Sequence, residues 1–215
     1  MESFLNEDGL IIVFDLIETI RQNKEYLSEI DGAIGDGDHG INMNKGFAIC
    51  KEKLGNSKNS LTGGLKILGK TLLTEIGGSM GPLYGTFFIE MAKACDGKER
   101  IDPQVFAVML HSALTGIKAL GNAKVGDKTL VDTLEPAVIA FDSALSRNKS
   151  FSEALDAMQM AGEQGKESTR DLIAKVGRAS RLGESSRGVL DAGATSCYLL
   201  LASMSRSIRN LIEVN

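Results

Sequence analysis

Apolar residues along this chain recur at intervals of three and four, the spacing of one face of an α-helix. Leu134, Val138, Phe141 and Leu145 fall on one such face. Leu155, Met158 and Gly162 continue the pattern in the next segment. No sustained period-two alternation occurs, and aromatic residues are only 5% of the chain, which disfavours a strand-rich fold. By this criterion about eight helical segments are predicted, over roughly residues 8–29, 41–54, 61–76, 82–96, 103–120, 129–146, 151–176 and 192–212. The three prolines, Pro82, Pro103 and Pro136, are each placed near a helix start, where proline is tolerated. Short polar turns such as GNSKNS and SRNKS join most segments, and short links favour antiparallel neighbours. The expected architecture is therefore all-α, an up-down helical bundle. No composition shift marks a second domain, so residues 1–215 are read as one domain, without internal repeats.

Four links are unlike simple turns. They are DGAIGDGDHGIN (Asp31–Asn42), GGSMGPLYG (Gly77–Gly85), GNAKVGDKT (Gly121–Thr129) and the long GRASRLGESSRGVLDAGATS (Gly177–Ser196). All are rich in glycine and polar groups. Glycine costs entropy on folding, so several such loops imply a use for close backbone approach.

Composition narrows that use. Of 215 residues 43% are hydrophobic and 24% charged, an ordinary globular balance with enough apolar material for a core. The net charge is -4 and the pI about 5.3, with Lys and Arg dispersed, so neither a nucleic-acid face nor a membrane patch is indicated. Cys50, Cys95 and Cys197 are far apart and form no C-x-x-C, which reads as reduced thiols in a cytoplasmic protein. The acidic start lacks a basic n-region, and no apolar run approaches the roughly 20 residues of a membrane span.

The first link gathers Asp31, Asp36 and Asp38, hard oxygen donors that suit Mg²⁺ or Ca²⁺. An EF-hand register fails, because its glycine place falls on Ile41 and its closing acid on Phe47. Aspartates capping the next helix are the plain alternative, yet capping needs only one. GLKILGKT (Gly64–Thr71) matches a phosphate loop, and AVIAFD, ending at Asp142, could imitate its partner strand. A phosphate loop must follow a buried strand, however. Here the preceding residues are polar and LKIL runs on into TLLTEI as a helix would. GGSMGPLYG is the better cradle, with free backbone N–H groups, the Ser79 hydroxyl and Pro82 opening a helix. In the last link, DAGATS precedes an apolar helix. The basic stretch carrying Lys175, Arg178, Arg181 and Arg187 reads either as solvated surface or as an anion-facing lid. His111, within an amphipathic segment, is read as structural.

Together GDGDHGINMNKGF, GGSMGPLYGTFF, GDKTLVDTLEPA, GRASRLGESS (with Val176 where lysine commonly precedes the glycine) and DAGATS resemble, in order, the signature blocks of the DhaL family. These are the nucleotide-binding subunits of bacterial dihydroxyacetone kinase. The resemblance implies an eight-helix antiparallel barrel with Mg-ADP or Mg-ATP at one end, two Mg²⁺ ions being held by Asp31, Asp36 and Asp38. Implied nucleotide contacts fall on His39, Gly40, Ile41, Asn42, Ser79, Met80, Gly121, Leu130, Arg178, Asp191, Ala192 and Gly193, with Arg178 also catalytic. Met80 departs from the family, where a second small polar residue is common. Implied partners are a DhaK-type subunit holding the ketose and a DhaM-type phosphocarrier of the phosphotransferase system that recharges bound ADP. A homodimer is left open. An ATP-exchanging kinase subunit for a tetrulose and a nucleotide-binding regulatory module are the alternative readings.

Overall fold

The computed structural model describes residues 2–55 and 59–214. Among them stand nine α-helices: α1 (Leu10–Gln22), α2 (Lys24–Ile34), α3 (His39–Leu54), α4 (Leu61–Glu75), α5 (Met80–Ala94), α6 (Pro103–Gly121), α7 (Val131–Ser146), α8 (Phe151–Ser168) and α9 (Ala192–Val214). A two-residue antiparallel pair, β1 (Phe4–Leu5) and β2 (Arg100–Ile101), ties the N-terminus to the start of α6. Two 3-10 segments, Asn6–Gly9 and Arg178–Ser186, complete the order.

The predicted segments are all present, with three corrections. The first one breaks at Asn23, whose side-chain amide donates to the Thr19 carbonyl at 2.8 Å and ends α1. Its second half runs on as α2 to Ile34, so Asp31 stands on the last turn of a helix and not in a loop. The seventh stops at Ser168, and residues 169–176 follow without helix. Pro136 lies inside α7, not near its start. Of the GNSKNS turn, residues 56–58 lie outside the described residues.

From α3 to α9 each helix packs on the next in chain order, α9 returns to α1, and α1 closes on α3. The result is an all-α ring of eight helices, an up-and-down barrel, with α2 added outside against α3 and α9. Its interior is one continuous apolar core. Phe106, Phe141 and Phe151 meet at ring distances of 5.4–6.0 Å, and Phe47, Phe88 and Phe87 form a second aromatic file. The three cysteines are free and buried, and burial pushes each thiol up, Cys50 to about 12, so none is a nucleophile. No helix among the described residues is long and apolar enough to cross a membrane.

The helix starts differ by position in the ring. Helices α4, α6 and α8 begin with side-chain caps. Ser60 accepts from the Gly63 amide, Asp102 from Val105 with Pro103 at the first position, and Ser150 forms a reciprocal capping box with Glu153. Helices α3, α5 and α7 begin at Asp38, Ser79 and Leu130 with no side-chain cap. Their first N–H groups have no partner within the helix.

Pro136 removes the amide that would bond the Asp132 carbonyl. Gly165 on α8 packs against that freed oxygen so closely that an added Cβ would lie 2.1 Å from it. Gly165→Ala should therefore destabilise the protein by about 2–3 kcal/mol. Urea denaturation checks this, and a loss below about 0.5 kcal/mol would show that α7 and α8 can part freely there.

Candidate functional site

The uncapped starts of α3, α5 and α7 share one rim of the barrel with the start of α9. His39, first residue of α3, places Nε2 2.9 Å from Ser196 Oγ on α9. Tyr84, on the second turn of α5, shares a 2.5 Å hydrogen bond with the same hydroxyl and donates to the Gly193 carbonyl at 3.0 Å. Leu130, just before α7, lies beside Gly193, and Thr133 on α7 donates to the Ala194 carbonyl at 3.0 Å. Burial pulls the His39 ring down to about 4, against the pull of Asp31, so it is neutral near pH 7 and acts as a fixed wall.

Asp31, Asp36 and Asp38 lie on this rim, where one carboxylate oxygen from each comes within 4.8 Å of the others. The local backbone explains the convergence. An added Cβ at Gly35 would stand 2.5 Å from Asp31 Oδ1, so only glycine lets the chain turn directly over that carboxylate. The His39 amide donates to Asp31 Oδ2 at 3.2 Å, locking the helix start to the acid before it. A small apolar cluster of Ile30, Leu190 and Ala192 holds the Asp31 turn of α2 against the entrance to α9. Three hard oxygen donors at this spacing, with one side half-exposed, fit a small divalent cation and offer nothing to a soft-ligand metal.

Two further carboxylates serve the rim differently. Asp132, 1% exposed, accepts from the Gly126 and Thr129 amides at 2.6 and 2.7 Å and shapes the loop before α7. Asp191 accepts from the Ala194 amide at 2.7 Å. Burial pushes Asp191 up to about 7. Asp132 and Asp31 add to that rise, while the Ala194 amide and Lys128 oppose it. Sequence reasoning singled out neither Asp132 nor Lys128, although both stand in the GDKTLVD block.

The structure brings together some, not all, of the residues predicted as nucleotide contacts. His39, Gly40, Ile41 and Asn42 form the first turn of α3, Ser79 and Met80 open α5, Leu130 precedes α7, and Asp191, Ala192 and Gly193 open α9. Arg178 begins the exposed 3-10 segment and forms an ion pair with Asp36, which brings the basic stretch onto the acidic loop. Gly121 closes α6 and is exposed, and no described contact joins it directly to the carboxylates. GLKILGKT and AVIAFD both lie within helices, α4 and α7. Gly64 and Gly69 pack against Val13 and Ile89, Lys70 faces solvent, and no phosphate loop exists there. His111 is on the surface, hydrogen-bonded to Asp142.

A family model described as the DAK2 domain matches residues 33–206. The chain is 40% identical over 191 residues to the ADP-binding subunit DhaL of PEP-dependent dihydroxyacetone kinase 1 from Listeria innocua, covering 88% of this chain and 90% of that one. It is 39% identical over 182 residues to the corresponding subunit from Escherichia coli, covering 84% and 87%. The dihydroxyacetone kinase of C. freundii superposes with a TM-score of 0.69 at 25% identity. There 93% of this chain covers 34% of the longer enzyme.

The Asp191 carboxyl sets a pH dependence. Its folded pKa of about 7 stands above the ordinary value of 3.8, so the folded state binds the proton more tightly. Stability from this group is greatest below 3.8 and falls as pH rises towards 7. Asp191→Asn keeps an acceptor for Ala194 without the charge. In protein free of metal and nucleotide, the stability of this variant relative to the parent should rise by about 2–3 kcal/mol between pH 5 and pH 8. Denaturant melts across that range test it, and a difference independent of pH would contradict the assignment.

Proposed function

The chain belongs to the DAK2 domain family, with DhaL subunits of dihydroxyacetone kinase among its relatives, and from that premise we propose that it is the Mg-nucleotide-carrying subunit of such a kinase. It holds ADP or ATP with two Mg²⁺ ions on Asp31, Asp36 and Asp38 and gives the γ-phosphate to dihydroxyacetone held on a separate DhaK-type subunit. A DhaM-type phosphocarrier then rephosphorylates the bound ADP. The observation that carries this reading is the meeting, on one rim, of three converging carboxylates with helix starts that have no side-chain cap.

The charge balance supports it. Three carboxylates bring about -3 and a nucleotide about -3 to -4, and the two are compatible only when divalent cations stand between them. Bound Mg²⁺ supplies that neutralisation and withdraws charge from the phosphate oxygens. The protein's own groups do the rest. Backbone N–H groups at the starts of α3 and α5 take anionic oxygens, helped by the helix dipoles. Ser79 adds a hydroxyl at the second of these. Met80 contributes its amide and packs its side chain on the core. His39, neutral and tied to Ser196, keeps the rim rigid without competing for protons. Leu130 and Gly193 border the space left for the nucleoside. Arg178 stands at the open side, within reach of the acidic loop, where a guanidinium offsets charge on a transferring phosphoryl group. Among the described residues no second cluster of metal-type donors competes with this one.

Native mass spectrometry of the purified protein should find retained nucleotide with magnesium. Asp36→Asn and Asp38→Asn should each reduce Mg-ADP affinity by at least a hundredfold while leaving the helical circular dichroism unchanged, and Lys70→Ala should change affinity less than twofold. The opposite pattern, with Lys70 essential and the aspartates dispensable, would move the site to α4. With a purified ketose-binding subunit and a phosphate donor present, sugar phosphate should form. Nucleotide binding with no phosphate transfer under those conditions would leave the regulatory reading, and nucleotide lost on gel filtration would favour the ATP-exchanging kinase.

A further inference from the structure

Lys128 lies in the core of the rim, only 2% exposed, with its backbone in the left-handed region at φ 62°. Its ammonium donates to three main-chain carbonyls, Thr169 at 2.7 Å, Leu172 at 3.3 Å and Val189 at 2.5 Å. All three N–H donors of the side chain are thus used, each on backbone oxygen and none on a carboxylate. A buried lysine at a strained backbone position is costly on two counts, so the contacts it makes there must matter.

Thr169 and Leu172 precede the Arg178–Ser186 segment, and Val189 follows it. The ammonium therefore joins the entrance of the Arg178 lid to its exit. Other bonds close the same neck. The Gly188 amide donates to the Arg170 carbonyl at 2.7 Å, the Ala174 amide to Ser186 Oγ at 2.9 Å, and the Asp191 amide to Thr169 Oγ1 at 3.0 Å. On its own side Lys128 is held between Gly126 and Thr129, whose amides both bond the buried Asp132 carboxylate. The Lys175 amide donates to the Asp127 carbonyl at 3.1 Å, a second tie between neck and loop.

Each clasped segment carries a residue of the nucleotide site as proposed above. Leu130 stands two residues after Lys128, Asp191 two after Val189, and Arg178 within the lid itself. We infer that Lys128 is a positioning residue, a buried cationic clasp that fixes both ends of the Arg178 lid to the loop bordering the nucleotide. It touches no substrate, and it acts by setting where Arg178 and the start of α9 stand relative to the three aspartates. Lys128 lies outside the apolar core of the barrel, so its loss disturbs the rim and spares the ring of helices.

This inference rests on the nucleotide-carrying reading, and the experiment separates the two. Lys128→Met keeps the length of the side chain and removes its donors. Titration calorimetry with Mg-ADP should show affinity lowered at least tenfold, while circular dichroism keeps its helical signal. Arg178→Ala should weaken binding in the parent protein and add less than twofold in the Lys128→Met background, because the lid is already misplaced. A merely structural lysine predicts independent, multiplying losses. Unchanged affinity in Lys128→Met, or an equal effect of Arg178→Ala in both backgrounds, overturns the clasp. Hydrogen exchange on the parent protein decides the matter if Lys128→Met does not fold or Mg-ADP does not bind. The neck amides of Ala174, Lys175, Gly188 and Asp191 should exchange at least tenfold more slowly than those of residues 178–185, and equal rates overturn the inference. Failure of the parent to bind Mg-ADP sinks the nucleotide-carrying reading alone.

Discussion

An up-and-down ring of helices sends alternate N-termini to opposite rims, and here the starts of α4, α6 and α8 are finished differently from those of α3, α5 and α7. At one set Ser60, Asp102 and Ser150 satisfy the first amides from within the chain. The starts of α3, α5 and α7 lack a cap from the N-cap side chain itself, although the His39 amide reaches Asp31 and the Val131 amide reaches Thr129. Omitting a cap costs typically about 1 kcal/mol each. The same rim receives the only close group of three carboxylates among the described residues. Partial positive charge from the helix ends and negative charge from the aspartates therefore face one space. Among the described hydrogen bonds only the His39 amide meets one of these carboxylates, at Asp31 Oδ2. A ligand with anionic oxygens on one side and cations on the other reconciles them, and Mg-nucleotide has that form.

The rim is rigid where it must align groups and open where it must admit them. His39, Ser196, Tyr84 and Gly193 bind α3, α5 and α9 together through three hydrogen bonds no longer than 3.0 Å. The Asp31 turn is pinned by Ile30 against Leu190 and Ala192. By contrast Asp36 and Arg178 are both exposed, and their ion pair is of the solvated kind that contributes little to stability. That pair can exchange at small cost when a more strongly charged partner competes for the carboxylate. Stability thus resides in the walls, and the exchangeable contact lies at the mouth.

Much of this could be read from residues alone. Periods of three and four located every helix of the ring, because each buries one apolar face against its neighbours. The glycine-rich links stood out because each marks the approach of one helix start to the rim. Other features had no sequence signal. The break at Asn23 interrupts a continuous amphipathic run without glycine or proline, and depends on a side chain turning back on its own helix. Asp31 looked like part of a loop because three glycines follow it within six residues, yet helix α2 carries it one turn further. Residues 169–176 keep enough apolar character to extend α8. Their backbone leaves the helix where the carbonyls of Thr169 and Leu172 are taken by an ammonium more than forty positions away. Local periodicity cannot report an acceptor claimed at that range.

Lys128 and Asp132 show why the GDKTLVD block is constrained although neither side chain faces the three aspartates directly. Asp132 spends both carboxylate oxygens on amides of its own loop, which forces the left-handed turn at Lys128. That turn aims the ammonium inward, towards the carbonyls of Thr169, Leu172 and Val189. An apolar residue at 128 would take this donor from all three oxygens, and a shorter polar one could not span both ends of the lid. Lysine is suited here as a long donor with three equivalent bonds, more than as a charge. Its positive charge still matters at second order, since it opposes the upward shift of Asp191 and so limits how readily that carboxyl holds a proton at the start of α9. The loop geometry, the lid neck and the protonation of the rim are therefore one coupled arrangement, anchored on a residue that points away from solvent.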